Sequence, residues 1–488
     1  MNTFPPTDFE TLDPQDWETM RALMHQMVDD AVGYLANVRD REIWQQMPPE
    51  VMASFTGPVP TQPSSAESVY EELQSTVLPY NMGNVHPRFW AWYMGNGTIS
   101  GVMGDFWASV MNPNVGGGNH AGIEVERQVL NWMKEIMGFP ASASGLLVSG
   151  GSMANFSALT VARNVKAGYD IRQEGIRPEI AGKMIAYASG EVHSCNQKAL
   201  ELLGLGANSL HKIRVNPDYT INLEALANQI QEDRAKGLLP FCVIGTSGTV
   251  NTGAIDDLPA LADLCEAENL WFHVDGAIGA VAVLAPNAKA SLAGIERADS
   301  IAMDLHKWLH MPFEAGCVLI KDASAHKNAF SLIPEYLAKN TRGVASGENW
   351  PSEYGLQLSR RFRALKIWMS LKEHGTEKFG RMIARNIEQA QYLGRLIAME
   401  PTLELLAPIG LDIVCFRYNP GGMDLAALNA LNKEIKLQLE EQAIAVPGYT
   451  TLADAYCIRI AIANHRSTTE DFDVFLEELL RLGKLLNG

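Results

Sequence analysis

The chain has 488 residues, 47% hydrophobic and 19% charged, with a formal charge of −17. The composition is that of a soluble globular protein with room for roughly three domains. Its acidic balance argues against nucleic acid or an anionic membrane as partner.

Residues 1 to about 90 read as a helical arm. The start, MNTFPPTDFETLDPQ, has neither a basic n-region nor an apolar h-region, so the cytoplasm is the expected location. LDPQDWETMRALMHQMVDDAVGYLANV offers Asp13 as N-cap and Pro14 at the first helical position, followed by Trp17, Met20, Met24, Met27, Val28 and Ala31 at helical spacing. That apolar face packs either on its own domain or around a second subunit. MPPEVMASFTGPVPTQPSS, rich in Pro and Ser, reads as extended surface loop. In GNVHPRFWAWYMGNGTISG, Phe89 and Trp90 read as core, and Trp92 and Tyr93, rigid rings with a polar tip, as pocket wall. The consecutive glycines of MNPNVGGGNHAG suit close backbone approach, and IEVERQVLNWMKEIMGF returns to helical spacing.

GLLVSGGSMANFSALTVARN is a strand, a turn and a helix. Gly150, Gly151 and Ser152 can present N–H groups and a hydroxyl to a phosphate at the helix N-terminus, although a plain Ser-capped turn has the same features. The spacing is not GxGxxG, which removes most support for a dinucleotide. Next come the short apolar runs KMIAYAS, LPFCVIGTSG, NLWFHVDGA, SIAMD and GCVLIKD, with DDLPALADLCEAEN as the clearest connecting helix. This alternation predicts an α/β domain with a mostly parallel sheet. Such sheets bind ligands at the carboxyl ends of their strands, where Thr246, Ser247, Thr249, Asp275 and Asp304 fall. His193 follows the strand MIAYAS, where its flat imidazole suits stacking on an aromatic ring.

The segment after GCVLIKD, beginning FSLIPEYLAKNTRGVASGENW, is long and polar and reads as a mobile loop over a site. Its Tyr336 is either a proton donor or a ring that anchors the loop. RRFRALKIW restores helix, and its arginines suit a solvated face, an acid-binding site or a subunit contact. A smaller α/β unit follows from about residue 365. In it LDIVCFRYNP and AYCIRIAIANH alternate as half-buried strands, and Ser467 and Glu470 are spaced as a capping box. The six cysteines, at 195, 242, 265, 317, 415 and 457, form no CxxC or metal-ligand spacing and read as buried thiols.

Asp275 and Lys307 give these segments a common purpose. A carboxylate at one strand end and a lysine beyond the next can hold the two ends of pyridoxal 5′-phosphate, the lysine as a Schiff base and the carboxylate on the ring nitrogen. Six motifs in order, HPRFWAWY, SGGSMAN, EVHS, HVDGA, DLHKW and RRFRALKIW, resemble those of the group II pyridoxal-phosphate-dependent decarboxylases, the family of aromatic amino acid, glutamate and histidine decarboxylases. The resemblance implies a fold-type I enzyme with an N-terminal helical arm (1–90), a large cofactor domain (91–364) and a small C-terminal domain (365–488). It further implies a homodimer with the cofactor near the subunit interface.

The resemblance also assigns roles. Lys307 is the covalent lysine, Asp275 the partner of the ring nitrogen, Ala277 a ring-packing residue and His193 the stacking imidazole. Gly151, Ser152, Met153 and His306 form the phosphate shell, and Thr249 lines the ring pocket. Tyr336, helped by His193, donates the proton to Cα. Trp92 and Tyr93 favour an aromatic substrate, whereas a glutamate-type enzyme needs a basic group for a second carboxylate, from Arg88 or an arginine of RRFR. Asp304 stands where animal aromatic decarboxylases carry asparagine, and it puts an extra carboxylate near the cofactor. The expected activity is decarboxylation of an L-amino acid, aromatic by preference, to its amine and CO2. The alternatives are another reaction on the same scaffold, such as decarboxylation of an acidic amino acid or aldehyde synthesis, and, from a different class, a catalytically silent binding homologue.

Overall fold

A computed structural model describes residues 11–332 and 339–487. Three helices, α1 (Trp17–Ala36), α2 (Pro49–Ser54) and α3 (Ala66–Glu72), form the arm. α1 begins after Asp16, not Asp13, because the Asp16 carboxylate accepts the N–H groups of Glu18 and Thr19. α2 lies where the sequence suggested only loop; Pro49 supplies a preset φ in its first turn. The two-residue strand β1 (Phe89–Trp90) then pairs in parallel with β11 (Val446–Leu452) near the far end of the chain.

After α4 (Ile99–Met111) and α5 (Ala121–Ile136) comes the main sheet, built from β2 (Ser144–Val148), β3 (Met184–Ser189), β4 (Leu210–Ile213), β5 (Leu239–Thr246), β6 (Trp271–Asp275), β7 (Ser300–Asp304) and β8 (Gly316–Ile320). Its order is β2-β8-β7-β6-β5-β3-β4. Strands β4, β3, β5, β6 and β7 run parallel, and β8 is antiparallel to both neighbours. The helices α6 (Gly151–Lys166), α7 (Ile171–Glu174), α8 (Ser194–Leu202), α9 (Leu223–Ala235) and α10 (Leu258–Ala267) connect these strands, and α11 (Ala323–Phe330) follows β8. Apolar cores lie on both faces of the sheet, which is why its parallel strands are continuous apolar runs. The register sets Thr246 opposite Asp275 and Asp275 opposite Ala302, so the strand-end polar groups share one edge.

The glycine run packs closely, as its composition suggested. A Cβ on Gly117 would stand 2.4 Å from the Trp350 indole, so only glycine fits beneath that ring.

The long helix α12 (Ala364–Met399) turns at Gly375, whose φ is 69°. Ile367 and Leu371 before the turn and Ile383 after it enter the main core, and further along Ala390, Leu393 and Ile397 enter a separate core. That second core belongs to a five-stranded sheet of order β1-β11-β12-β10-β9, formed with β9 (Leu403–Leu405), β10 (Ile413–Tyr418) and β12 (Ala455–Ala461) and flanked by α13 (Leu425–Glu441) and α14 (Thr469–Asn487). β10 and β12 are buried on both faces, not half-buried. Ile413 and Cys415 point into the main core while Val414 and Phe416 point into the second. Ser467 is not a cap: its hydroxyl accepts from the Trp90 indole and donates to the Pro87 carbonyl. Asp471 instead accepts the Thr468 N–H, one position further along. All six thiols are free and buried.

Candidate active site

A cavity of about 490 Å³ opens at the carboxyl edge of β5, β6 and β7. Asp275 ends β6 on its floor. Asn196 Nδ2 donates to Asp275 Oδ2 at 2.8 Å, and the Ala277 N–H donates to Oδ1 at 3.3 Å, so the carboxylate is fixed by two donors. Asn196 sits one turn of α8 beyond His193, on the same helix face. His193 is the N-cap of α8, and its Nδ1 accepts the Cys195 N–H at 3.2 Å. With Nδ1 an acceptor, the neutral ring carries its proton on Nε2. Burial lowers the His193 pKa below the usual histidine value, which keeps the ring neutral at pH 7.

The opposite wall is the turn between β2 and α6. Gly150 caps α6 without a side chain, so the N–H groups of the first helical turn take no side-chain acceptor from the cap. A Cβ at Gly151 would lie 2.8 Å from Asp304 Oδ2 and 3.1 Å from the Ala277 methyl, so this position requires glycine. His306 Nδ1 accepts the Ala315 N–H at 3.1 Å, leaving Nε2 3.6 Å from Asp304 Oδ1. Burial lowers the His306 pKa as well. Lys307 pairs with Asp304, not with Asp275: Nζ is 2.8 Å from Asp304 Oδ2.

Behind this layer, His273 Nε2 is 2.7 Å from Asn155 Oδ1 and Nδ1 is 2.8 Å from Ser300 Oγ. Burial pushes its pKa down to about 4. The Cys195 thiol, 3.4 Å from Asn155 Nδ2, is pushed up to about 12 by burial and is therefore a neutral, inert group.

The cavity brings together Trp92, Tyr93, Gly151, Ser152, Met153, His193, Asp275, Ala277, Asp304, His306 and Lys307, as the sequence suggested. Thr249 is a correction. Its hydroxyl is 2.9 Å from Thr252 Oγ1 and accepts the Ala254 N–H at 3.1 Å, which folds it into its own loop. Thr246 and Val250 line the cavity in its place. Tyr93 contributes only ring surface, since its hydroxyl donates to Asp412 at 2.8 Å. Burial pushes the Asp412 carboxyl up to about 7. Trp92 is 60% exposed and adopts φ +53°, and its carbonyl accepts from Arg459 Nη1. Tyr336 lies outside the described residues.

The arginines of RRFR are engaged elsewhere. Arg360 makes a two-pronged contact with Glu126, Arg361 pairs with Asp105, and Arg363 pairs with Glu314. Sequence reasoning missed Asn155 and Asn196, and it placed Thr246 at the strand ends without giving it a role. The spacing of Asn196 three residues after His193, at the start of a helix, was the available signal for the second of these.

These residues fit pyridoxal 5′-phosphate. The start of α6 offers the N–H groups of Ser152 and Met153 to an anion, while that of Gly151 donates to Asp304, Asp275 is held ready for a ring nitrogen, and Lys307 is within the same cavity. The Thr246 hydroxyl, which has no hydrogen-bond partner among the described residues, leaves one further polar group for a ligand.

Comparison with known proteins agrees with this fit. Residues 48–419 match the model of the pyridoxal-dependent decarboxylase conserved domain. An aromatic-L-amino-acid decarboxylase of Bacillus atrophaeus is 36% identical over 93% of each chain. A phenylacetaldehyde synthase of Petunia hybrida is 28% identical over 92% of this chain and 91% of its own. The solved structure of Oryza sativa TDC with PLP and tryptamine superposes with a TM-score of 0.89 at 25% identity, covering 98% of this chain and 100% of that one. The fold is therefore that of a fold-type I PLP enzyme, with pyridoxal 5′-phosphate as cofactor. The motifs, the cavity they build and these likenesses agree, and the chain belongs to the pyridoxal-dependent decarboxylase family.

Proposed function

We propose that this carboxy-lyase converts L-aromatic amino acids, among them phenylalanine, tyrosine and tryptophan, to their amines and CO2. The observation that carries the substrate class is the cavity wall. Trp92 and Tyr93 flank it, and among the described lining residues the basic side chains are Lys307, His193 and His306, each with a cofactor role. A second substrate carboxylate thus finds no spare cation, because Arg360 and Arg363 hold Glu126 and Glu314. The relatives named for aromatic amino acids support the same reading.

Bound in this cavity, pyridoxal 5′-phosphate supplies the electron sink that lets the bond from Cα to the carboxylate break. Asp275, steadied by Asn196 and the Ala277 N–H, holds a proton at the ring nitrogen. The turn at Gly151, Ser152 and Met153, together with His306, binds the phosphate. Ala277 and His193 would pack on the ring, and Lys307 would anchor it covalently. Tyr336, helped by the Nε2–H of His193, delivers the proton to Cα, an assignment that rests on its place in the sequence alone. The three-part division at 90/91 and 364/365 belongs to the same proposal.

Incubation of the holoenzyme with the twenty amino acids tests the reading. Amine and CO2 in equal amounts from the aromatic set, without peroxide, are expected. Activity on glutamate but on none of the three aromatic acids would remove the substrate class, and peroxide with aldehyde would replace amine formation by aldehyde synthesis.

Two variants probe the roles. Tyr336→Phe should still capture cofactor but lose about 10²- to 10⁴-fold in amine formation, the usual contribution of a positioned proton donor; undiminished amine output would take Tyr336 out of the mechanism. Asn196→Ala should weaken the hold on cofactor by about 10- to 100-fold, since a hydrogen bond to a charged group is worth about 1.5–3 kcal/mol. A cofactor titration of the apoprotein that matches wild type would count against that role.

The proposal includes a homodimer in the cytoplasm. Supporting the dimer, α4 presents Ile99, Val102, Met103, Phe106, Trp107 and Val110, all exposed and at helical spacing, as one apolar stripe. Sedimentation should give a dimer for wild type and a monomer for a Phe106→Glu/Trp107→Glu double variant; monomeric wild type would exclude it. No helix among the described residues is long and apolar enough to cross a membrane.

A further inference from the structure

Asp304 closes β7 with only 5% exposure, and its two oxygens have different partners. Oδ2 is 2.8 Å from Lys307 Nζ, and Oδ1 accepts the Gly151 N–H of the phosphate turn. Asp275 makes no ion pair with the lysine; its carboxylate is oriented by Asn196 and the Ala277 N–H instead. The Lys307 ammonium therefore lies on the turn side of the cavity. The other charged or titratable groups that face this carboxylate are His306, 3.6 Å away, and at longer range His193 and Cys195.

We propose that Asp304 is the resting partner of Lys307, holding its ammonium against the Gly151 turn whenever the lysine is not joined to the cofactor. The inference rests on the reading of Lys307 as the covalent lysine. It applies before the cofactor is captured and again while a substrate amine has taken the place of the lysine. The need for such a partner follows from charge. A free ammonium in the cavity is drawn to the nearest anion, and the substrate brings one, the carboxylate that has to leave. Pairing with it stabilises the ground state and raises the barrier. A fixed carboxylate at the side of the cavity removes that competition and keeps the lysine close enough to return. Asp304 acts through Lys307 and is thus a positioning residue.

The test is selective labelling of Lys307 in the full-length apoprotein with trinitrobenzenesulfonate, followed by peptide mass spectrometry. This reagent attacks free amines and needs no cofactor. The ion pair holds Nζ against the Gly151 turn, so D304N, which removes that hold, should label at Lys307 at least about tenfold faster than wild type at neutral pH. D304E should return to the wild-type rate, which a merely structural role would not produce. D304S, checked for folding by circular dichroism, repeats the measurement with a smaller side chain. Equal labelling of wild type, D304N and D304S overturns the inference. Capture of pyridoxal 5′-phosphate, read by borohydride reduction onto Lys307, keeps the two levels apart. Failure of wild type to capture it sinks the parent reading, whereas normal capture with unchanged labelling sinks only the role of Asp304.

Discussion

Lys307→Ala is expected to leave a folded protein that binds pyridoxal 5′-phosphate without a covalent link and decarboxylates at least about 10⁴-fold more slowly, the scale seen when a covalent catalyst loses its reacting group. The direction follows from what stays and what goes. Asp275 keeps its two donors and the glycine turn keeps its N–H groups, so the non-covalent determinants of cofactor binding survive. What would disappear is the amine proposed to anchor the cofactor, together with the partner of Asp304. Borohydride should fix cofactor to wild type and not to the variant, and exogenous methylamine should restore part of the lost rate. A variant that retained more than a few per cent of wild-type amine output would show that another lysine carries the chemistry. Lys366 is the nearest alternative in kind, being fully buried, but it donates to Asp105 and to the Pro312 carbonyl, outside the cavity.

The contrast between Asp275 and Asp304 shows where sequence reading reaches its limit. Both are aspartates ending buried strands, and the strand pattern placed both at the same edge of the sheet. Which of them pairs with Lys307 depends on the path of the chain after β7, and no periodicity encodes that path. Thr246 and Thr249 differ for a similar reason. Between them Gly248 takes φ +94° and turns the chain, so Thr246 stays on the cavity while Thr249 folds back on Thr252. Local rules also compete with one another. Asp13 and Asp16 are both suitable N-caps, and the selection was made by the backbone, which brings the N–H groups of Glu18 and Thr19 to Asp16. By contrast, the parallel strands, the glycine turn before α6 and the positions of His193 and Lys307 are set by patterns within short stretches, and these were legible directly.

The arginine run is the clearest long-range case, and it carries the largest expected loss of stability. The Arg360 and Glu126 side chains are each 1% exposed, with Nη2 2.6 Å from Oε1 and Nη1 3.0 Å from Oε2. The guanidinium also donates to the Val115 carbonyl at 2.8 Å and the Leu147 carbonyl at 2.6 Å. One side chain thus ties the segment before α12 to α5 and to β2, the strand that runs into the phosphate turn. Arg360→Ala leaves the Glu126 carboxylate buried without its partner, and breaking such a pair costs about 3–5 kcal/mol. The denaturation midpoint should fall accordingly, and cofactor affinity should fall with it because β2 loses its fastening. Arg360→Lys should rescue little, since an ammonium cannot reproduce the planar, two-pronged contact. Replacing both partners together, as in Arg360→Met/Glu126→Leu, should recover much of the stability, because the isolated charge rather than the missing attraction is what destabilises. A paired variant no better than Arg360→Ala would instead place the energy in the bonds to Val115 and Leu147, whose carbonyls either change leaves unpaired.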